Sequence, residues 1–133
     1  MKAAYTVGQS ASVTKTISES DVYLFAGITG DLNPAHTNEV YAGGTRFGHR
    51  IAHGMLSAGL ISAVLGTQLP GPGSIYMGQT LKFVAPVYFG DTITATATIT
   101  SLDPEKNRAV LSTVVTNQDG KTITVGEAKL LLP

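Results

Sequence analysis

Cysteine is absent from this 133-residue chain, and with it go disulfides, thiolate metal sites and a cysteine nucleophile. Charge is scarce as well. Asp, Glu, Lys and Arg make up 14% of the residues, well under the usual quarter or so. More surface than normal is therefore expected to be hidden, in the simplest case against a second subunit. Neither sign dominates: nine basic and nine acidic residues give a formal net charge of zero and are spread out rather than blocked. That pattern lacks the footprint of a phosphate backbone, so no nucleic-acid partner is expected. The stretch Met1–Tyr5 lacks the apolar core of a signal peptide. The longest apolar run, Met55 to Leu65, is broken by Ser57, Gly59 and Ser62 and is too short to span a bilayer. These absences leave the expectation of one domain over residues 1–133, cytoplasmic and without a membrane partner.

What is present falls into two periods. Ser18-Glu19-Ser20-Asp21 has the form of a capping box, and Val22, Phe25, Ala26 and Thr29 follow at helical spacing up to Gly30. Residues 31–53 hold Pro34, Gly43, Gly44 and Gly48 and predict an irregular excursion with one short helix near Thr37–Tyr41, the kind of long loop that usually carries function. His53 to Gln68 predicts a helix with no charge at all, hence a buried one, closed by Gly66 with Pro70 just beyond. The period then changes to two. Ser74–Ala85 predicts a strand stopped by Pro86. Asp91–Thr100 alternates, with Ile93, Ala95, Ala97 and Ile99 on one face and threonines on the other. Two further strands, Arg108–Thr116 and Thr122–Leu132, flank the turn Asn117–Lys121. An order of strand, helix, loop, buried helix and four strands predicts an α+β domain with a sheet wrapped around that helix.

The residues that can carry chemistry cluster in the loop and at the head of the helix. Gly30-Asp31-Leu32-Asn33-Pro34-Ala35-His36 reads in two ways. Asp-x-Asn-Pro makes a good turn by itself. Alternatively, Pro34 rigidifies the segment so that an ionised Asp31 and a neutral His36 converge on one water. Gly54 likewise is either a small residue for close packing or a backbone N–H at a helix start, suited to an oxyanion. His53 beside it reads as a packing or hydrogen-bonded residue. A metal site built from His49 and His53 with Asp31 and His36 is the competing arrangement. Gly48 and Arg50 flank His49 and no glutamate accompanies the pair, so no metal is expected. Ser57 reads as a helix-packing hydroxyl. Ser62, roughly two turns past Gly54, is placed as a supporting hydrogen-bond partner for Asp31. Pro70–Gly73 lacks the lysine of a phosphate loop and reads as a turn. Arg46, Arg50 and Lys82 are the cations nearest the site in sequence and the candidates for phosphates of a carrier group. His49 has no assigned role.

Residues 30–36, followed by Arg50-Ile51-Ala52-His53-Gly54-Met55-Leu56, resemble the (R)-specific enoyl-CoA hydratases of the MaoC-like, hot-dog superfamily. The similarity continues through Leu69-Pro70-Gly71, Phe83-Val84-Ala85-Pro86-Val87 and Gly90-Asp91, so it spans nearly the whole chain. The resemblance implies a single hot-dog fold, a homodimer with active sites at the subunit interface, and an acyl-CoA thioester as partner. It implies reversible syn hydration of a trans-2-enoyl-CoA to the (R)-3-hydroxyacyl-CoA, with no metal or other cofactor. By position, Asp31 and His36 activate the water, the Gly54 amide meets the thioester oxygen, and Asn33 fixes the loop. Leu65, with Leu60, Val64 and Leu130, is expected to shape the acyl pocket. Dehydration of a 3-hydroxyacyl thioester on CoA or a carrier protein uses the same residues. A thioesterase lacks this Asp-x-Asn-Pro-x-His block, and a non-catalytic acyl-CoA-binding module has no need of Asp31 with His36.

Overall fold

Threonine and alanine alternate along Thr92–Asp103 (β3), and that alternation decides how this chain is layered. In the computed structural model, which describes residues 4–133, Ile93, Ala95, Ala97 and Ile99 are each 1% exposed or less. Met1–Ala3, the first part of the N-terminal stretch considered above, lie outside the described residues. The small alanines let the helix Gly54–Thr67 (α4) approach the sheet closely, and Ile61, Val64 and Leu65 of that helix fill the core against them. The opposite face of β3 is polar. There the threonine hydroxyls bond across to Ser10–Thr16 (β1), at 2.8 Å for Thr14–Thr94 and 2.7 Å for Thr16–Thr92.

The remaining strands are Ile75–Phe83 (β2), Arg108–Thr116 (β4) and Thr122–Leu131 (β5). All pairings are antiparallel, in the order β1-β3-β4-β5-β2. Register breaks between Tyr76 and Gly78 and between Ile99 and Ser101 bend β2 and β3 about the helix. This is the expected α+β hot-dog, a sheet wrapped on a long helix. The turn at Asn117–Lys121 forms as the sequence predicts. The Asn117 carboxamide oxygen accepts from the N–H groups of Asp119 and Lys121, both at 3.0 Å.

Helix Glu19–Thr29 (α1) starts with the reciprocal capping box of Ser18 and Asp21, and Gly30 ends it at φ +77°, a left-handed position that glycine takes without strain. The excursion contains two one-turn helices where the sequence suggested one: Pro34–Thr37 (α2), capped by Asn33, and Glu39–Gly43 (α3), capped by Asn38. Two details of α4 differ from the sequence reading. Gly66 lies inside the helix, which runs on to Thr67 with Gln68 as its cap, and Pro70 beyond offers no N–H to continue it. Only one face of α4 is buried in the protomer: Met55, Gly59, Ser62, Ala63 and Gly66 are exposed. Helical periodicity cannot show this, because the uncovered face is made of small and apolar residues too.

Candidate active site

The excursion is held down by its own backbone and side chains. The Ile51 N–H donates to the Ala35 carbonyl at 3.1 Å and the Ala52 N–H to the Val87 carbonyl at 2.8 Å. Tyr88 adds a hydroxyl bond to the Phe47 carbonyl at 2.9 Å. Asp31 enters this frame directly after the Gly30 turn. Its N–H donates to the Thr29 hydroxyl at 3.1 Å, and its carboxylate accepts from the Asn33 N–H at 3.3 Å. Asn33 in turn caps α2 through the Ala35 N–H at 3.0 Å, so it shapes the loop rather than lining the cavity.

His36 rides on α2 and is half-buried. Its Nδ1 lies 2.7 Å from the Ile51 carbonyl oxygen, which can only accept, so the proton sits on Nδ1 and Nε2 keeps its lone pair. Burial holds the His36 imidazole below its ordinary pKa. The Ile51 carbonyl and Asp31 pull the other way, and neighbouring His53 adds to the lowering. His53 is buried, its ring centroid 3.9 Å from that of His36 and 4.6 Å from that of Phe25. The donor atoms of Asp31, His36 and His53 all lie within 4.8 Å of one another, a spacing that one bridging water spans. A metal fits this set poorly. The His53 nitrogen that faces the Asp31 carboxylate, Nε2 at 4.0 Å, is 2.9 Å from the Asp31 carbonyl oxygen and must donate its proton there. That leaves it no lone pair for an ion.

Gly54 is the first residue of α4. Among the described helices, α1, α2 and α3 each begin with a side-chain cap, and α4 begins without one. The first N–H groups of a helix have no partner within it. Here the Leu56 N–H turns back to the His53 carbonyl at 3.0 Å, and no side chain caps the Gly54 and Met55 N–H groups at the positive end of the helix dipole.

These groups meet in one cavity of about 400 Å³, lined by Asp31, His36, His53 and Gly54 on the polar side. Phe47, Phe83 and the Val84–Val87 segment form its apolar wall, and Ser57 and Thr124 lie on it as a buried hydroxyl pair 3.0 Å apart. An acid/base pair on one side of an apolar cleft and a free helix N–H on the other can move a proton while stabilising a nearby oxyanion.

Other expectations are redirected. Ser62 is exposed and does not line the cavity: eight residues on from Gly54 it is turned about 80° around the helix and lies roughly 12 Å along it. The hydroxyl that takes the position is Ser57, one turn from Gly54, which donates to the Gly54 carbonyl at 2.7 Å. Leu65 is fully buried in the core and Leu130 likewise, neither of them on the cavity wall. Leu65 lies roughly 16 Å down the helix from Gly54. Arg46 does line the cavity, its guanidinium 5.1 Å from the Phe47 ring centroid. Arg50 does not. It bonds Glu39 at 2.8 Å and Glu19 at 2.9 Å beside a separate hollow, and those carboxylates push its pKa further up. Lys82 is exposed and outside the lining, because strand alternation sends it away when Phe83 points in. His49 pairs with Glu39 at 3.0 Å. Sequence reasoning gave no role to Phe83 and Thr124. Phe83 lies within a quoted motif, whereas no pattern marks Thr124.

Comparison with known proteins agrees with this architecture. The family model described as MaoC like domain matches residues 3–123. An (R)-specific enoyl-CoA hydratase from Rhodospirillum rubrum is 63% identical over 126 residues, covering 95% of this chain and 87% of that protein. A 3-hydroxybutyryl-CoA dehydratase from Methylorubrum extorquens is 50% identical over 127 residues, covering 96% of this chain and 80% of that protein. The solved (R)-hydratase of Aeromonas caviae, involved in PHA biosynthesis, superimposes with a TM-score of 0.95 at 43% identity and 98% coverage of both chains.

Proposed function

This chain belongs to the MaoC-like family, and we propose from that premise that the Asp31–His36–Gly54 cavity performs its chemistry. The protein is an (R)-specific enoyl-CoA hydratase, a hydro-lyase that adds water reversibly across the double bond of a trans-2-enoyl-CoA. The observation that carries the residue assignment is the convergence of Asp31, His36 and the uncapped start of α4 on one cavity.

The Asp31 carboxylate and the His36 lone pair on Nε2 hold one water. As its oxygen bonds to Cβ, the pair takes up its proton and the double-bond electrons move onto the thioester oxygen. The Gly54 N–H meets the charge developing there. The pair then returns a proton to Cα from the same face, so the addition is syn. Phe47, Phe83 and the Val84–Val87 wall keep bulk water from the enolate. Arg46 at the cavity is the cation for a CoA phosphate. Asn33 acts by fixing the loop.

The protein acts as a homodimer in the cytoplasm in this reading, and the exposed apolar residues of the edge strand support the dimer. Ile75, Tyr76, Met77 and Phe83 on β2 are all at least 39% exposed, on an outer strand of the sheet. Supply of polyester precursors is a metabolic role in keeping with the Aeromonas relative. The reverse reaction, dehydration of a 3-hydroxyacyl thioester, uses the same groups and agrees with the Methylorubrum relative.

Loss of enoyl-thioester absorbance of crotonyl-CoA tests the assignment. Asp31→Asn is expected to lower kcat about 10²–10⁴-fold. Equal rates for the two proteins remove Asp31 from the mechanism. Sedimentation equilibrium giving only protomer mass overturns the dimer.

A further inference from the structure

Among the described residues, one buried side-chain nitrogen or oxygen has no hydrogen-bond partner: Nδ1 of His53. His53 is 3% exposed, and its other nitrogen is committed to the Asp31 carbonyl oxygen at 2.9 Å. A proton on Nδ1 would sit in a dry site with no acceptor, whereas a proton on Nε2 has one. The tautomer of the His53 ring is thus fixed, with the proton on Nε2.

The geometry points to His53 as the positioning residue of the catalytic pair: its Nε2–H fixes the main chain of Asp31 while its ring, packed against Phe25 and His36, fixes the His36 imidazole. This inference rests on the hydratase reading. Both contacts are close and tilted, with centroids 3.9 Å to His36 and 4.6 Å to Phe25. His53 also immediately precedes Gly54, so one residue ties the water-activating side of the cavity to the oxyanion side. Asp31 needs such a tie. Its side chain is 51% exposed, and its own loop bonds, at 3.1 and 3.3 Å, are long. Ile51 supplies the complementary tie, since its carbonyl orients the other edge of His36.

His53→Gln offers an amide N–H where Nε2–H stood, and His53→Leu fills the volume without a donor. His53→Leu is expected to lose about 10²-fold in kcat through misplacement of the pair, with KM for crotonyl-CoA little changed, and His53→Gln to recover most of that loss. Imidazole ¹⁵N shifts of the wild-type protein should show the proton of the neutral His53 ring on Nε2 and none on Nδ1. Wild-type kcat in folded His53→Leu overturns the proposal, as does a His53 protonated on Nδ1. If His53→Leu does not fold, His53→Gln and the tautomer decide. Should the wild-type protein fail to hydrate crotonyl-CoA, the hydratase reading falls, and the tautomer measurement alone decides the position of His53.

Discussion

The ring of Phe83 occupies the space that a side chain on Gly54 would need: a Cβ built there falls 2.9 Å from two ring carbons. The glycine at the head of α4 is thus called for by a neighbouring ring, quite apart from its amide. Gly54→Ala keeps the N–H but is expected to push Phe83 aside, disturb the cavity wall and lower kcat about 10²-fold, the cost of a small misplacement of the reacting groups. Gly54→Ala with Phe83→Leu removes the collision and should recover part of that loss. Steady-state kinetics on the three variants check this, and a double variant no faster than Gly54→Ala would sink the steric account.

The pH profile follows from His36. Burial lowers its pKa below the ordinary 6.5, so the neutral, proton-accepting form persists to lower pH than in a free imidazole. The acid limb of kcat/KM should therefore fall below pH 6.5, and a limb above that value contradicts the assignment. Linkage has the same sign. The folded protein binds this proton more weakly than the unfolded chain, so the His36 contribution to stability declines as pH drops through and below 6.5.

Two arginines close in sequence should part company in kinetics. Arg46 lines the cavity, so Arg46→Ala is expected to raise KM for a CoA thioester several-fold. Arg50 is engaged by Glu19, Glu39 and the Tyr23 hydroxyl, and its guanidinium lies 4.8 Å from the Phe89 ring centroid. Arg50→Lys loses the forked geometry and should lower Tm by a few degrees without changing KM. A large KM effect from Arg50→Lys would return it to the substrate.

Ser57 and Thr124 are both buried, and Ser57 spends its proton on the Gly54 carbonyl, so Thr124 donates to Ser57. Thr124→Val leaves Ser57 Oγ without that donor, and Ser57→Ala leaves the Thr124 hydroxyl without its acceptor. Each single change is expected to cost about 1–3 kcal/mol. The double variant should cost less than the sum, because the groups are coupled. Denaturant melts of the three variants give the coupling energy, and strict additivity would show the pair to be incidental.

Most of the architecture was legible because period and caps are local properties. The alternation from Ile93 to Ile99, the Ser18–Asp21 box and the Gly30 stop each write their structure within a few residues. The catalytic loop is legible as a loop, and Asp31, His36 and Gly54, each of which also reads as ordinary turn or packing chemistry, are singled out by the two motifs together and the resemblance they carry. What was not legible is direction. Ser62 and Ser57 differ by five residues on one uncharged helix, and only the packed sheet tells which faces the cavity. Leu65 on α4 and Phe83 on β2 are both apolar, and only the packing shows that Phe83 lines the cavity and Leu65 does not. Arg50 read as a free cation because its carboxylates, Glu19 and Glu39, come from distant turns of the chain.

The uncapped start of α4 has a consequence for engineering. A cap is among the commonest stabilising changes, worth about 1 kcal/mol, and position 53 is the one described helix start where such a gain is still unclaimed. A library screened for heat resistance alone would be drawn to serine or aspartate at that position. The winners would be sturdy and silent, for the change that caps the helix also removes the imidazole whose Nε2–H holds the Asp31 carbonyl.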